Sequence, residues 1–184
     1  TPIDLSEGDS NLSTNRAAWT AKLDPDTQKL LDRDAAVFLH QSLSTPCIDV
    51  LGHCNGSVLT DIAGRKILDF HGNSVHQVGF SNPDVTAAIL QQVETLSFCT
   101  RRYTNVKAIE LAEKLVSLAP GNLAKVLFAP GATSSVGMAI KLARAATGRH
   151  KTISFWDSFH GASLDAISIG GESLFRKNIG PLLP

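Results

Sequence analysis

The spacing of apolar and polar residues divides the chain into segments of different period. A polar start, "TPIDLSEGDSNLSTNR", reads as an arm over Thr1–Arg16. Asp24-Pro25 then opens a stretch in which Leu30, Leu31, Asp34, Val37, Phe38 and His40 mark successive turns, which predicts a helix to about Gln41. Proline suits a first helical position because its missing N–H would be unpaired there anyway. "SVLTDIAGRKILDF" places two short β-prone runs around Ala63-Gly64 and predicts a hairpin. A loop rich in Gly, Asn, Ser and His, "HGNSVHQVGFSNPDV", follows. Asn82-Pro83 starts a helix to about Leu96, with Val85, Ala88, Ile89, Gln92, Val93 and Leu96 at helical spacing. After the loop "SFCTRRYTN", Asn105 caps a further helix from Val106 to about Leu118, ended by Pro120-Gly121.

Beyond that point the period changes again. Val126-Leu127-Phe128 reads as a short strand, Thr133–Thr147 as a helix closed by Gly148, and Thr152–Phe155 as a second strand. Ala162 onward is weakly helical and breaks at Gly170-Gly171. Strand–helix–strand at this spacing predicts a parallel βαβ unit and an α/β class. Two parallel strands leave both faces and both edges of a sheet uncovered. The expectation is therefore an arm, helix and hairpin segment over 1–80, and over 81–184 the first, incomplete part of a larger α/β domain.

Charge and composition narrow the partners. Lys+Arg and Asp+Glu both number 17 among 184 residues, so no basic stripe points to nucleic acid or a membrane surface. The apolar runs are too short to span a bilayer, and the polar start lacks a basic-then-apolar leader pattern. Cys47, Cys54 and Cys99 form an odd set without a C-x-x-C pair, as expected of free, mostly buried thiols in the reducing cytoplasm. Asn55-Gly56-Ser57 reads as a turn rather than a glycosylation site.

Four places carry chemistry. In "LFAPGATSSVGMAIKLARAATGR", Leu127–Arg149, a strand meets a turn at Gly131 and then a helix start. Such a helix end favours an anion by about 0.3–1 kcal/mol per exposed charge. No Lys follows, so it is not a P-loop, and it is not G-x-G-x-x-G. Thr133, Ser134 and Ser135 could instead cap their own helix, and sequence leaves these readings even. The second place is "SFWDSFHGASLDA", at the same carboxyl edge of the expected sheet, where open α/β sheets bind ligands. Phe159 offers an aromatic face, His160 a titratable donor and Gly161 room for close approach; a core aromatic beside a backbone-bonded His is the plainer alternative. Together, anion cup and aromatic plate suit a flat, phosphorylated ring. Third, His71 and His76 are too poorly spaced for a metal without a third ligand, so none is expected. Fourth, Arg101-Arg102 in a loop could grip a phosphate, phosphonate or carboxylate bidentately, or simply be solvated.

Taken together, "LDFHGNSVHQVGFSNPDVTAAILQQ", "NVKAIELAEKLVSLAPGNLAKVLFA", "GATSSVGMAIKLARAATGRHKTISF" and "SFHGASLDAISIGG" resemble the class III family of pyridoxal-phosphate aminotransferases, of fold type I. The resemblance covers nearly all of the chain after Asp24. It implies pyridoxal 5'-phosphate as cofactor, bound at Gly131, Ala132, Thr133, Phe159, His160 and Gly161. Ala132 and Thr133 match the pair that holds the cofactor phosphate, and Phe159 the aromatic that stacks on its ring. Arg101, Arg102 and Asn73 fall on the substrate side. "FLHQSLSTPC", "TRRYTN", "FWDSFHGASLDAISIGGE" and "GPLLP" look most like the subgroup of ammonia-lyases acting on 1-hydroxy-2-aminoethylphosphonate, in phosphonate catabolism.

The departures matter as much. Many relatives read Ser-Gly-Ala-Glu where this chain has Gly131-Ala132-Thr133-Ser134, a second family Glu is Gly137 here, and "GH-x-H-P" is Gly79-Phe80-Ser81-Asn82-Pro83. Ala132, standing where Gly is usual, is expected to crowd the phosphate turn slightly. The lost carboxylates suit the lyase subgroup better than a transaminase. The family's Schiff-base Lys and the carboxylate that pairs with the pyridine nitrogen are expected beyond Pro184, since Lys125, Lys141 and Lys151 do not match that motif. The 184 residues alone are thus expected to contain no catalytic residue, to be inactive and to be poorly stable. A homodimer acting on a small amine or aminophosphonate is the implied whole. The alternatives are a class III transaminase acting on an amino acid or amine, and a non-catalytic nucleotide-binding α/β module.

Overall fold

The computed structural model describes residues 13–39 and 46–183. The chain forms two compact units, Thr1–Cys99 and Thr100–Pro184.

In the first unit, two helices precede a small sheet. Helix α1 (Thr14–Thr20) begins at Ser13, whose hydroxyl accepts the Arg16 N–H at 3.2 Å. Its first three residues, Thr14–Arg16, fall in the stretch that sequence reads as an arm. Helix α2 (Pro25–Val37) is capped by Asp24, which accepts the Thr27 N–H at 2.9 Å and its hydroxyl at 2.7 Å. It stops short of the expected Gln41, because Phe38 is already extended. His40 and Gln41 lie outside the described residues. The chain returns at Cys47, whose thiol sits 3.4 Å from the Asp34 carboxylate.

Strands β1 (Leu51–Asn55), β2 (Val58–Asp61) and β3 (Lys66–Leu68) form an antiparallel sheet in that order. The expected hairpin is β2–β3. Asn55-Gly56-Ser57 makes the β1–β2 turn, with Gly56 at φ 55°, a left-handed conformation that Gly adopts at no steric penalty. A polar clamp ties this sheet to the helices. The buried Asp61 carboxylate pairs with the Arg65 guanidinium and accepts its backbone N–H at 2.7 Å. Arg65 also reaches Asp49 at 3.0 Å and lies 4.7 Å over the Trp19 ring, whose N–H donates to the Ile48 carbonyl. Desolvation pushes the Asp61 carboxyl up. The hydrogen bonds and charge of Arg65 outweigh it and hold the carboxyl below its usual range. Helix α3 (Pro83–Leu96) starts at Asn82, whose side chain accepts the Asp84 and Val85 N–H groups.

In the second unit, helix α4 (Val106–Leu118) is capped by Asn105, which accepts the Ala108 N–H at 2.9 Å. Helix α5 (Ala132–Thr147) closes on Gly148 at φ 66°, the left-handed C-cap. Helix α6 (Leu164–Ile169) ends at Gly170 and packs against α5.

Two expectations fail here. Residues 126–128 and 152–155 do not form a parallel pair: among the described residues neither joins a strand ladder, and the sheet is β1–β3 alone. An extended segment becomes a strand only when a neighbour supplies backbone partners about 4.8 Å away. Nothing described supplies one, and Leu127 and Phe155 stand 72% and 88% exposed. Nor do the helices bury the faces their periodicity marks. Val85, Ile89, Val93 and Leu96 on α3 are all exposed, and α3, α4 and α5 carry no buried residue. Among the described residues the buried hydrophobics are Ala166 and Ile167, both on α6. The fold class is α/β as expected, with its apolar faces largely open.

Apolar surface of this extent exceeds what a soluble monomer normally shows. Residues 1–184 expressed alone are expected to bind a hydrophobic dye strongly and to melt without a sharp transition. A cooperative melt with no dye binding would contradict this.

Candidate cofactor site

The site grows from the first turn of α5. Gly131 is extended (φ −174°, ψ 167°), and its carbonyl accepts the Ser135 N–H at 3.0 Å, the first bond of the helix. The N–H groups of Ala132, Thr133 and Ser134 precede that bond. No side chain caps them, and the Ser135 hydroxyl turns back to the Gly131 carbonyl at 3.2 Å. Sequence left capping and ligand binding even; the capping alternative is not what the hydroxyls do. Helices α1 to α4, by contrast, each have a side-chain cap. A side chain added at Gly131 would meet nothing within 4 Å, so the space before the turn is open. Three unspent donors at the positive end of a sixteen-residue helix could receive an anion, while the Thr133 hydroxyl is turned toward Gly161. Ala132 is the first helical residue, in a backbone that Ala favours.

The Phe159-His160-Gly161 loop lies directly on this turn. Gly161 is buried at φ 120°. A Cβ there would fall 2.8 Å from the Thr133 Cβ and 2.9 Å from its Cγ2, overlapping the hydroxyl. Glycine is required twice over, by backbone conformation and by the absence of room. Phe159 leans on Phe175, ring centroids 4.8 Å apart at 42°, and remains 55% exposed. His160 is half-buried. The preceding turn is pinned from behind: the Gly171 N–H donates to the Ser158 carbonyl at 3.0 Å, and a Cβ on Gly171 would come within 2.8 Å of the Trp156 Cα. Sequence marked Gly170-Gly171 only as a break and did not single out Phe175; the doubled Gly was the available signal for a close approach.

The family profile of class-III aminotransferases matches residues 42–184. The chain belongs to the class-III aminotransferase family. Pyridoxal phosphate is the cofactor of these enzymes and of their structural neighbours. The chain is 52% identical to an (R)-1-hydroxy-2-aminoethylphosphonate ammonia-lyase of Vibrio splendidus (strain 12B01), over 97% of this chain and 37% of that protein. It is 38% identical to the acetylornithine aminotransferase of Methanopyrus kandleri, over 70% of this chain and 33% of that one. Among solved structures it matches a PLP-bound amine transaminase from an uncultivated Pseudomonas species, with TM-score 0.69 and 30% identity over 80% of this chain and 36% of that chain. These likenesses give the fold as fold type I, and the chain spans little more than a third of the length of such relatives. Membership of an enzyme family sets aside the non-catalytic nucleotide module.

The chemistry of these residues is compatible with a phosphorylated pyridine ring: uncapped α5 N–H groups with open space before them could receive a phosphate, and the exposed face of Phe159 could meet a ring. Arg101 and Arg102 are exposed on a turn closed by the Tyr103 N–H to the Thr100 carbonyl, and neither joins an ion pair among the described residues. Asn73 belongs to the first unit. It is left-handed (φ 51°, ψ 26°), exposed, and donates its N–H to His71 Nδ1 at 3.0 Å. The Asp69 carboxylate accepts the N–H groups of Gly72 and His71, which lowers its pKa and shapes this loop. His76 stacks on Phe80 at 4.0 Å. No cluster of three or more metal-ligating side chains occurs among the described residues. Cys47, Cys54 and Cys99 form no disulfide and are only half-buried, against the expectation of buried thiols. A cysteine in a small, open sheet has too little packed around it to be covered fully.

Gly161→Ala is expected to destabilise the protein by about 1–3 kcal/mol in urea unfolding, from strain at positive φ. An unchanged midpoint would mean that the loop does not rest on Thr133. For the Asp69 loop the direction with pH follows from the lowered pKa. Its stabilisation is full above the ordinary carboxylate pKa and is lost as pH falls through the folded value. The protection of the His71 and Gly72 amides, taken relative to their intrinsic exchange rates, should therefore fall on acidification, and Asp69→Asn should abolish that pH dependence.

Proposed function

We propose that the protein carrying this chain is a pyridoxal-phosphate-dependent lyase that releases ammonia from a hydroxylated aminoalkylphosphonate, converting 1-hydroxy-2-aminoethylphosphonate to phosphonoacetaldehyde. The observation that carries this reading is 52% identity, along 97% of the chain, to a protein bearing that activity in its name. The loss of both family carboxylates, at Ser134 and Gly137, also favours it over transamination.

The residues of this chain bind and orient. The first-turn N–H groups and Thr133 would hold the phosphate, with Gly131 leaving it room. Phe159 would cover one ring face, and His160 and Gly161 would close the loop over the cup. Once bound, the cofactor supplies an electron sink for the carbanion formed at the amine-bearing carbon. Arg101 and Arg102 would take the substrate phosphonate bidentately, and Asn73 would contribute to substrate binding. Residues 81–184 would be the first part of the cofactor-binding domain, and 1–80 an arm, helix and hairpin segment beside it. The working assembly would be a cytoplasmic homodimer. No described helix is long and apolar enough to cross a membrane.

A second reading, transamination of an amino acid or amine, is favoured by the likeness to acetylornithine aminotransferase. One assay separates them: the complete polypeptide, loaded with pyridoxal phosphate, is given 1-hydroxy-2-aminoethylphosphonate without a keto acid. Ammonia and aldehyde in equal amounts are expected. Turnover only when a keto acid is added would establish the transaminase instead. Arg101→Ala and Arg102→Ala should each raise KM for the phosphonate by roughly tenfold or more, the loss of a charged hydrogen bond. Unchanged KM values would return the pair to a solvated surface.

A further inference from the structure

Glycine and bulk alternate between α5 and the α6 segment. Thr133 and Gly137 lie one turn apart on the same face of α5. Opposite them, Gly161 and Asp165 are separated by the same sequence step. Thr133 projects into the space left by Gly161. At the next turn the roles reverse. A Cβ on Gly137 would overlap Asp165 Oδ2 and lie 3.4 Å from its Cγ, so the Asp165 side chain occupies the space left by Gly137. The other oxygen, Oδ1, is fixed by the Ser163 hydroxyl and by the Ala166 N–H at 3.0 Å, which aims Oδ2 at α5. Ala166 and Ile167, the buried hydrophobics of the described chain, follow directly.

We propose that Asp165 is a positioning residue for the cofactor site: seated on Gly137, it holds α6 in register with α5 and so keeps the Phe159–Gly161 loop on the first turn of α5. A slip of one turn would set Asp165 against Thr133 in one direction and leave Gly137 facing Gly161, with both seats empty, in the other. The inference rests on the pyridoxal-phosphate reading of that turn and adds what fixes its geometry. The empty Gly137 position and the Asp165 carboxylate then act as one unit, with the carboxylate supplied by α6 where many relatives carry it on α5.

The test uses the complete polypeptide and two readouts, pyridoxal-phosphate affinity and hydrogen exchange of the peptide spanning 158–163. Gly137→Ala should weaken the cofactor by about tenfold, since displacement of a supporting element on the ångström scale loosens a site. It should also speed exchange in that peptide. Helix propensity alone argues the opposite, because Ala is the better helix former. Asp165→Ala alone empties the seat and should weaken cofactor binding and speed exchange, while Asp165→Asn, equal in size, should stay close to the unmodified protein. Adding Asp165→Ala to Gly137→Ala removes the clash but not the lost seat, so the double variant should resemble Asp165→Ala rather than the sum of the two. The proposal is overturned if Gly137→Ala or Asp165→Ala changes neither readout. If the unmodified protein takes up no pyridoxal phosphate, the cofactor reading falls, and the exchange data still decide whether Asp165 sets the loop.

Discussion

The close approach of the Phe159–Gly161 loop to the first turn of α5 is the contact on which the candidate site depends. It brings an aromatic face and three unpaired donors together without a strand ladder between the segments that carry them. Register comes from shape: Thr133 enters the space at Gly161, and Asp165 enters the space at Gly137. Close packing of this kind is directional although it involves little apolar area. It explains how local geometry persists in a chain whose helices mostly expose their apolar faces.

The first unit is ordered by different means. Arg65 gathers Asp61, Asp49 and the Trp19 ring around the sheet. The guanidinium is planar and offers several donors at once, so one side chain can serve two carboxylates and an aromatic face. Polar convergence does here what a buried apolar layer does in a closed domain.

Local chemistry was legible in the sequence. Asp24, Asn82 and Asn105 accept first-turn N–H groups as their identities suggest, and α3 and α4 begin and end where those caps and the following breakers place them. The β2–β3 hairpin follows from alternation around Ala63-Gly64. Helix α1 was hidden because it is a seven-residue run whose apolar residues, Ala17, Ala18 and Trp19, are consecutive and show no helical period, and β1 because "LGHCN" alternates weakly. Residues 126–128 and 152–155 have strand composition, but strand formation depends on partners elsewhere, which composition cannot report. Of the site, the cup and the plate could be read from Gly131–Thr133 and Phe159–Gly161. The seats at Gly137 and Gly161 could not, because they join residues far apart in sequence.

The uncapped start of α5 ties ligand and fold together. A capped helix holds its first turn whether or not anything is bound. An uncapped one frays more readily, since its leading N–H groups gain as much from water as from the helix. An anion that requires all three donors in helical array binds the ordered turn and not the frayed one, so occupancy and order rise together. A ligand bound there would make the end of α5 a folding element that is completed from outside the polypeptide.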